Sequence, residues 1–238
     1  MMRKALTTLL LVPCLAVAAE PVCRARSGAV APLVVELYTS EGCNSCPPAD
    51  RWLSTLKGRS DVVALAFHVD YWDRLGWTDR FARPEWTRRQ SQAGLVSGSS
   101  FVYTPQVLVN GRDYRRWPAL PDTPSPSLVS LDLSREGADY VVRVTPQAGA
   151  PHELAGYWAV TEDNHRTQVR AGENAGALLQ HDAVVRELQP VAAVGDAPLH
   201  FRPQAEPDRL SGPRPQRVQF VVTAARTGLP LQAVALGC

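Results

Sequence analysis

Two cysteines separated by two residues, Cys43-Asn44-Ser45-Cys46, stand between an apolar run and a proline-led helix start, and this pattern restricts the fold more than any other feature of the chain. Upstream, Leu33-Val34-Val35-Glu36-Leu37-Tyr38 is short, mostly apolar and rich in β-formers, which predicts a buried strand. Downstream, Pro47 and Pro48 suit the first turn of a helix. Trp52, Leu53 and Leu56 then fall at helical spacing up to Lys57, and Gly58 is a fitting stop. A C-x-x-C at a helix start suits thiol–disulfide exchange. The thiolate is the attacking species, and the exposed N–H groups and dipole of a helix N-terminus favour that anion. A two-residue spacing lets the second sulfur resolve a mixed disulfide.

The next stretch continues the alternation of element types. Asp61 to Val69 reads as a second buried strand, followed by the aromatic, charged segment Asp70-Tyr71-Trp72-Asp73-Arg74-Leu75-Gly76-Trp77. Residues 79–93 look helical. Thr104-Pro105 precedes a strand from Gln106 to Val109, and Asn110-Gly111 predicts a tight hairpin turn with residues 112–116 returning. Four prolines between Pro118 and Pro126 read as a linker. Beyond it, short β-like runs recur with turn residues between them and no long helix, which predicts a small sandwich or barrel.

The N-terminus is of another kind. Arg3 and Lys4 precede an apolar stretch from Ala5 to Ala19 that ends in small residues, the pattern of a secretory signal peptide over residues 1–19. Pro13 argues against lipidation at Cys14. The stretch is short for a bilayer span, so no membrane association is expected after cleavage. Without Arg3 and Lys4 the basic residues equal the 23 acidic ones, and no dense Lys/Arg run occurs; nucleic acid and anionic membranes are poor partners. Four cysteines remain after the leader, an even number that suits an oxidising compartment. Cys23 and Cys238, near the two ends, are candidates for a structural disulfide, although spacing cannot settle connectivity.

Three blocks, Glu36 to Asp50, His68-Val69-Asp70-Tyr71-Trp72-Asp73 and Tyr103-Thr104-Pro105-Gln106, resemble a secreted bacterial family, domain of unknown function 1223, and more broadly the thioredoxin superfamily. Gly172 to Gly176 and His181 to Arg186 also fit the family. The resemblance implies a thioredoxin-like α/β domain at 30–117; with the Pro-rich linker at 118–126 and the C-terminal all-β, sandwich-like domain at 127–238 read from the residues above, the expected fold is α/β. The resemblance also implies Cys43 and Cys46 as the redox pair and Pro105, in a cis X-Pro bond after Thr104, beside them. Glu36 would be a buried acid assisting proton transfer, its pKa raised by burial; the alternative is a solvated Glu36 or one paired with an arginine. Thr104, Tyr71 and Trp72 could line a substrate groove, or the aromatics could pack the insert against the sheet. Gly42, not tryptophan, precedes Cys43, and Asn44-Ser45 has no electrostatic bias toward oxidation or reduction.

The expected function is periplasmic or secreted thiol–disulfide exchange with protein or small-molecule thiols and disulfides, with no cofactor. The alternative is a non-catalytic binding module with a permanent disulfide. A C-x-x-C is also half of a zinc site, but no second C-x-x-C or paired histidine stands near it in sequence, so no metal is expected. His68 and His181 are expected to be hydrogen-bonded structural histidines.

Overall fold

The computed structural model describes residues 23–96, 101–122, 125–204, 212 and 214–238. The signal peptide expected at residues 1–19 lies outside the described residues. Strands β1 (Arg24–Arg26) and β2 (Val30–Ala31) lead into β3 (Leu33–Thr39); α1 (Pro47–Ser54), β4 (Val62–His68), α2 (Pro84–Val96) and the hairpin β5 (Gln106–Val109) and β6 (Arg112–Asp113) follow. The remainder is strand and turn: β7 (Ser125–Pro126), β8 (Val129–Glu136), β9 (Asp139–Pro146), β10 (Leu154–Glu162), β11 (His165–Gln168), β12 (Leu178–His181), β13 (Val184–Val194), β14 (Leu199–Phe201), β15 (Gln216–Ala224) and β16 (Pro230–Leu236).

An α/β thioredoxin-like domain followed by a separate all-β domain is not what forms. The molecule is mostly β-sheet, with two α-helices among the described residues, and its main sheet has eight strands in the order β16-β15-β10-β13-β4-β3-β5-β6. This sheet takes strands from both sides of the proline-rich stretch. β4 is the junction. It runs parallel to β3 on one edge and meets β13 on the other, where Ala66 N donates to Ala183 O at 2.8 Å. A strand with two apolar faces and an unpaired edge has backbone groups to satisfy, and here another strand satisfies them, not a helical crossover. Ser125–Pro126, inside the expected linker, pairs with β2.

Side-chain alternation along β3 assigns its two faces. Val35 and Leu37 pack with Ala49, Trp52 and Leu53 of α1, while Val34 and Tyr38 pack with Phe67 of β4 and Trp86 of α2. A second sheet, β1-β8-β9-β14, covers the far end of the main sheet. Leu131, Leu133 and Val142 meet Trp158, Phe220 and Val222 there, and the Trp158 ring stacks on Phe201 at 5.1 Å. The Cys23–Cys238 disulfide, with Cα atoms 6.2 Å apart, ties β1's approach to the end of β16. Its chain separation of 215 residues makes it a long loop closure, worth up to about 5 kcal/mol on loop entropy alone. Asn110 and Gly111 take φ of 49° and 74°, as a tight turn with two left-handed residues requires.

Candidate functional site

The chain leaves β3 through a buried polar turn, Ser40 to Gly42, and enters α1 at Cys46. Cys43 N donates to Ser40 O and Cys46 N to Cys43 O, both at 3.2 Å, so the two cysteines share one turn. Cys46 is the N-cap of α1, and its carbonyl accepts from Ala49 and Asp50. Pro47 and Pro48 follow at positions where a helix needs no N–H donor. Cys43 and Cys46 form a disulfide with Cα atoms 5.5 Å apart, and both residues have 0% exposure. Ser45 Oγ lies 3.3 Å from Cys43 Sγ and reaches Thr104 O at 3.4 Å. The Thr104–Pro105 peptide is cis, and Trp72 Nε1 donates to Thr104 Oγ1 at 2.8 Å. Gly42 is where Trp72 presses closest: a Cβ there would lie 3.1 Å from Trp72 Cβ. The glycine before Cys43 therefore makes room for an aromatic side chain that arrives from a different part of the chain.

A distant loop covers this turn. Asn174 Nδ2 donates to Glu41 O at 2.8 Å and to Cys43 O at 2.9 Å, and Glu173 Oε2 accepts from Asn44 N at 3.2 Å. These bonds satisfy Glu41 O and Asn44 N, which the turn itself leaves open, and give Cys43 O a second donor beside Cys46 N. Gly172 sits over Trp77, whose Nε1 donates to Glu41 Oε2 at 2.8 Å.

Under the disulfide lie five buried ionisable side chains: Glu41, Asp50, His68, Asp79 and His181. His68 Nδ1 is 2.6 Å from Asp79 Oδ2, and the same oxygen accepts from Glu41 N at 2.8 Å. Burial would push the Asp79 carboxyl up, but His68, the Glu41 N–H and His181 outweigh it and hold Asp79 below the usual carboxylate range. Thr39 Oγ1 donates to Asp50 Oδ2 at 2.9 Å. His181 is 3.4 Å from Asp50 and 3.6 Å from Glu41 through its two ring nitrogens. Burial disfavours its charge, yet Asp50, Glu41 and the nearby Asp79 outweigh burial and push its pKa up to about 10. The His68 and His181 rings meet edge to face, 4.8 Å between centroids.

Residues 34–222 match the family described as "Protein of unknown function (DUF1223)". The chain belongs to this family. No curated protein is similar enough to match. Among solved structures, a structural-genomics target from Agrobacterium tumefaciens is similar at 25% identity and a TM-score of 0.61, over 86% of this chain and 93% of that one. HBP35 of Porphyromonas gingivalis is similar in fold, with 14% identity and a TM-score of 0.57, over 88% of this chain and 76% of its own.

In this DUF1223 chain, the residues singled out from sequence are only partly brought together. Cys43, Cys46, Thr104 and Pro105 do form one locality. Glu36 does not join them. It lies on the β3 face opposite α1, its Oε1 2.6 Å from Arg89 and its carboxylate accepting from Tyr38 and Tyr157. The reason is the two-residue period of a strand: counting from Thr39, which reaches Asp50, position 36 points to the other side. Tyr71 and Trp72 pack against the core, and Trp72 also joins the cysteine locality through Thr104 Oγ1 and its contact with Gly42. The acidic and imidazole groups near the cysteines are instead Glu41, Asp50, Asp79 and the paired His68 and His181. Sequence spacing gives no hint that residue 181 meets residue 68, since β12 and β4 are more than a hundred residues apart; the Asp at the fourth position after Cys46, one helical turn into α1, was the accessible clue.

Proposed function

We propose that this chain is an exported thiol–disulfide exchange protein acting through Cys43 and Cys46. The observation that carries the reading is the setting of their disulfide: it closes over two residues, ends at the N-cap of α1, and lies against the Thr104–Pro105 loop through Ser45. This local arrangement is the basis for kinship with thioredoxin-type dithiol sites; the overall architecture is no part of the argument. A thiolate of a partner attacks the Cys43 sulfur, a mixed disulfide forms, and Cys46 leaves as a thiolate favoured by the helix N-terminus. A second partner thiol then displaces Cys43, so the partner is oxidised by two electrons and the two cysteines are reduced; the reverse sequence oxidises the dithiol. Partners are protein or small-molecule thiols and disulfides. An exported location is part of the proposal. Two disulfides are compatible with it, and no helix among the described residues is long and apolar enough to cross a membrane.

The second reading, a non-catalytic binding module with a permanent disulfide, is favoured by one observation: neither cysteine is exposed. Glutathione equilibration of the purified chain, with Cys43→Ser as control, separates the two. Exchange chemistry requires a potential between about −120 and −270 mV and a thiolate pKa below about 8.5. A potential below about −300 mV, with no low-pKa thiol, overturns it in favour of the binding module.

A further inference from the structure

The ionisable cluster under the disulfide does not close on itself. Asp50, His68 and His181 each offer one ligand atom, all within 4.8 Å of one another, and all three side chains are buried. Their other polar atoms are engaged outward. His68 Nδ1 is held by Asp79, which leaves Nε2, and Nε2 has no hydrogen-bond partner although the side chain has 0% exposure. Asp50 Oδ2 is held by Thr39, which leaves Oδ1, 3.4 Å from His181 Nδ1. His181 Nε2 faces Glu41 Oε1 at 3.6 Å. His68 thus has one nitrogen on an outer carboxylate and the other left for the shared space, which is how metal-binding histidines are oriented, while His181 turns Nδ1 to Asp50 and leaves Nε2 toward Glu41 without a hydrogen bond.

We propose that Asp50 Oδ1, His68 Nε2 and His181 Nδ1 bind one divalent transition cation of the zinc class, with Asp79 and Glu41 orienting the two rings. Two imidazole nitrogens and one carboxylate oxygen suit such an ion. Ligands about 2.05 Å from a tetrahedral ion lie about 3.3 Å apart, close to the Asp50–His181 separation of 3.4 Å; the two pairs with His68, within 4.8 Å, would have to shorten on binding. Three protein ligands leave a fourth position open. Asp50 and His181 also line a cavity of about 320 Å³ with Pro47, Arg51 and Ser54, which gives the ion a path in and room for a water. Charge points the same way. Glu41, Asp50 and Asp79 gather three carboxylates in a buried space, which favours a cation among them. The site stands independently of the thiol reading, since it uses neither sulfur.

The test uses the untagged full chain with both disulfides intact, stripped with a chelator. It is titrated with zinc chloride by calorimetry and with cobalt chloride by absorption. One ion per chain is expected, with a raised Tm and visible cobalt bands of nitrogen and oxygen ligation lacking thiolate charge transfer. His181→Ala is expected to abolish binding. Because that ring also packs, Asp79→Asn serves as the second variant: it keeps the shape and should weaken zinc binding by about 10- to 100-fold with an unchanged far-ultraviolet spectrum. Binding weaker than millimolar, or an affinity unmoved by Asp79→Asn, overturns the site. So does binding that appears only after reduction together with a thiolate-to-cobalt band, which would put the ion on Cys43 and Cys46. A structural reduction potential in the glutathione experiment leaves the site untouched.

Discussion

The two faces of β3 carry two buried ionic clusters built on different principles. On the α2 face, Glu36 meets Arg89, and Tyr38 and Tyr157 give it their hydroxyls. One negative charge answers one positive charge. Burial and the Glu36 charge both raise the two phenols well above their ordinary range, so they keep their protons and donate them to Glu36. On the α1 face, three carboxylates, Glu41, Asp50 and Asp79, meet His68 and His181, and three buried atoms, His68 Nε2, His181 Nε2 and Glu41 Oε1, lack hydrogen bonds, against Arg89 Nε alone in the Glu36 cluster. The difference teaches that buried charge is not in itself a sign of function. A balanced cluster is explained by the fold that holds it, whereas an unbalanced one beside a disulfide needs something more to satisfy it.

The most forceful way to break this comparison is Glu36→Gln. The substitution leaves the Arg89 guanidinium, 27% exposed at its side chain, facing a neutral amide, and should cost about 3 kcal/mol, the low end for breaking a buried pair. Urea denaturation measures it. The Glu36→Gln, Arg89→Met double variant should recover most of the loss, because a neutral pair of similar volume leaves no charge unpaired. Neither variant should move the reduction potential of Cys43–Cys46 or the response to zinc. A potential shifted by Glu36→Gln would mean that the two faces are coupled and that Glu36 serves the cysteines after all.

Thr39→Val probes the other face with a near-isosteric change. It removes the hydroxyl that donates to Asp50 Oδ2, a charge-assisted bond, and should cost about 2 kcal/mol by the same measurement. It also frees the carboxylate to rotate. The expected result is weaker zinc binding with an intact sheet. Stability lost without any change in zinc affinity would show that Asp50 is held by its helix alone.

What the sequence made legible follows from the range of the interactions involved. Local patterns were readable: the apolar run at 33–38, the prolines opening α1 and the Asn110-Gly111 turn each state their geometry in a few residues. The Cys43–Cys46 locality was readable for the same reason, since the spacing and the helix start lie within six residues. The architecture was not. Whether β4 ends a sheet or joins it to β13 depends on a pairing across more than a hundred residues, and an apolar strand looks the same either way. The histidines failed similarly. Each sits in an ordinary strand-end context, and only the fold sets their rings 4.8 Å apart. Of the two readings of Glu36, the arginine-paired one is what forms, with Arg89; choosing between them from sequence needs its strand parity compared with that of a residue known to face the helix.

The smallest effect predicted is at Asn174, and it bears most directly on the disulfide. Its amide makes two hydrogen bonds to the backbone of the cysteine turn, at Glu41 O and Cys43 O, from a loop otherwise held there by Glu173 on Asn44 N. In Asn174→Ala, water can take over both carbonyls once the loop lifts, so the net loss of stability should be about 1 kcal/mol. The kinetic effect should be larger than the thermodynamic one. A disulfide with 0% exposure can be attacked only from states in which its cover has opened, and weakening the cover raises the population of those states. Reduction of Cys43–Cys46 by dithiothreitol should therefore run several-fold faster in Asn174→Ala, while reduction of the more exposed Cys23–Cys238 bridge is unchanged. Equal rates in the two proteins would mean that the 172–176 loop does not gate the bridge and that access requires opening of α1 itself, which would move the comparison decisively toward a permanent, structural disulfide.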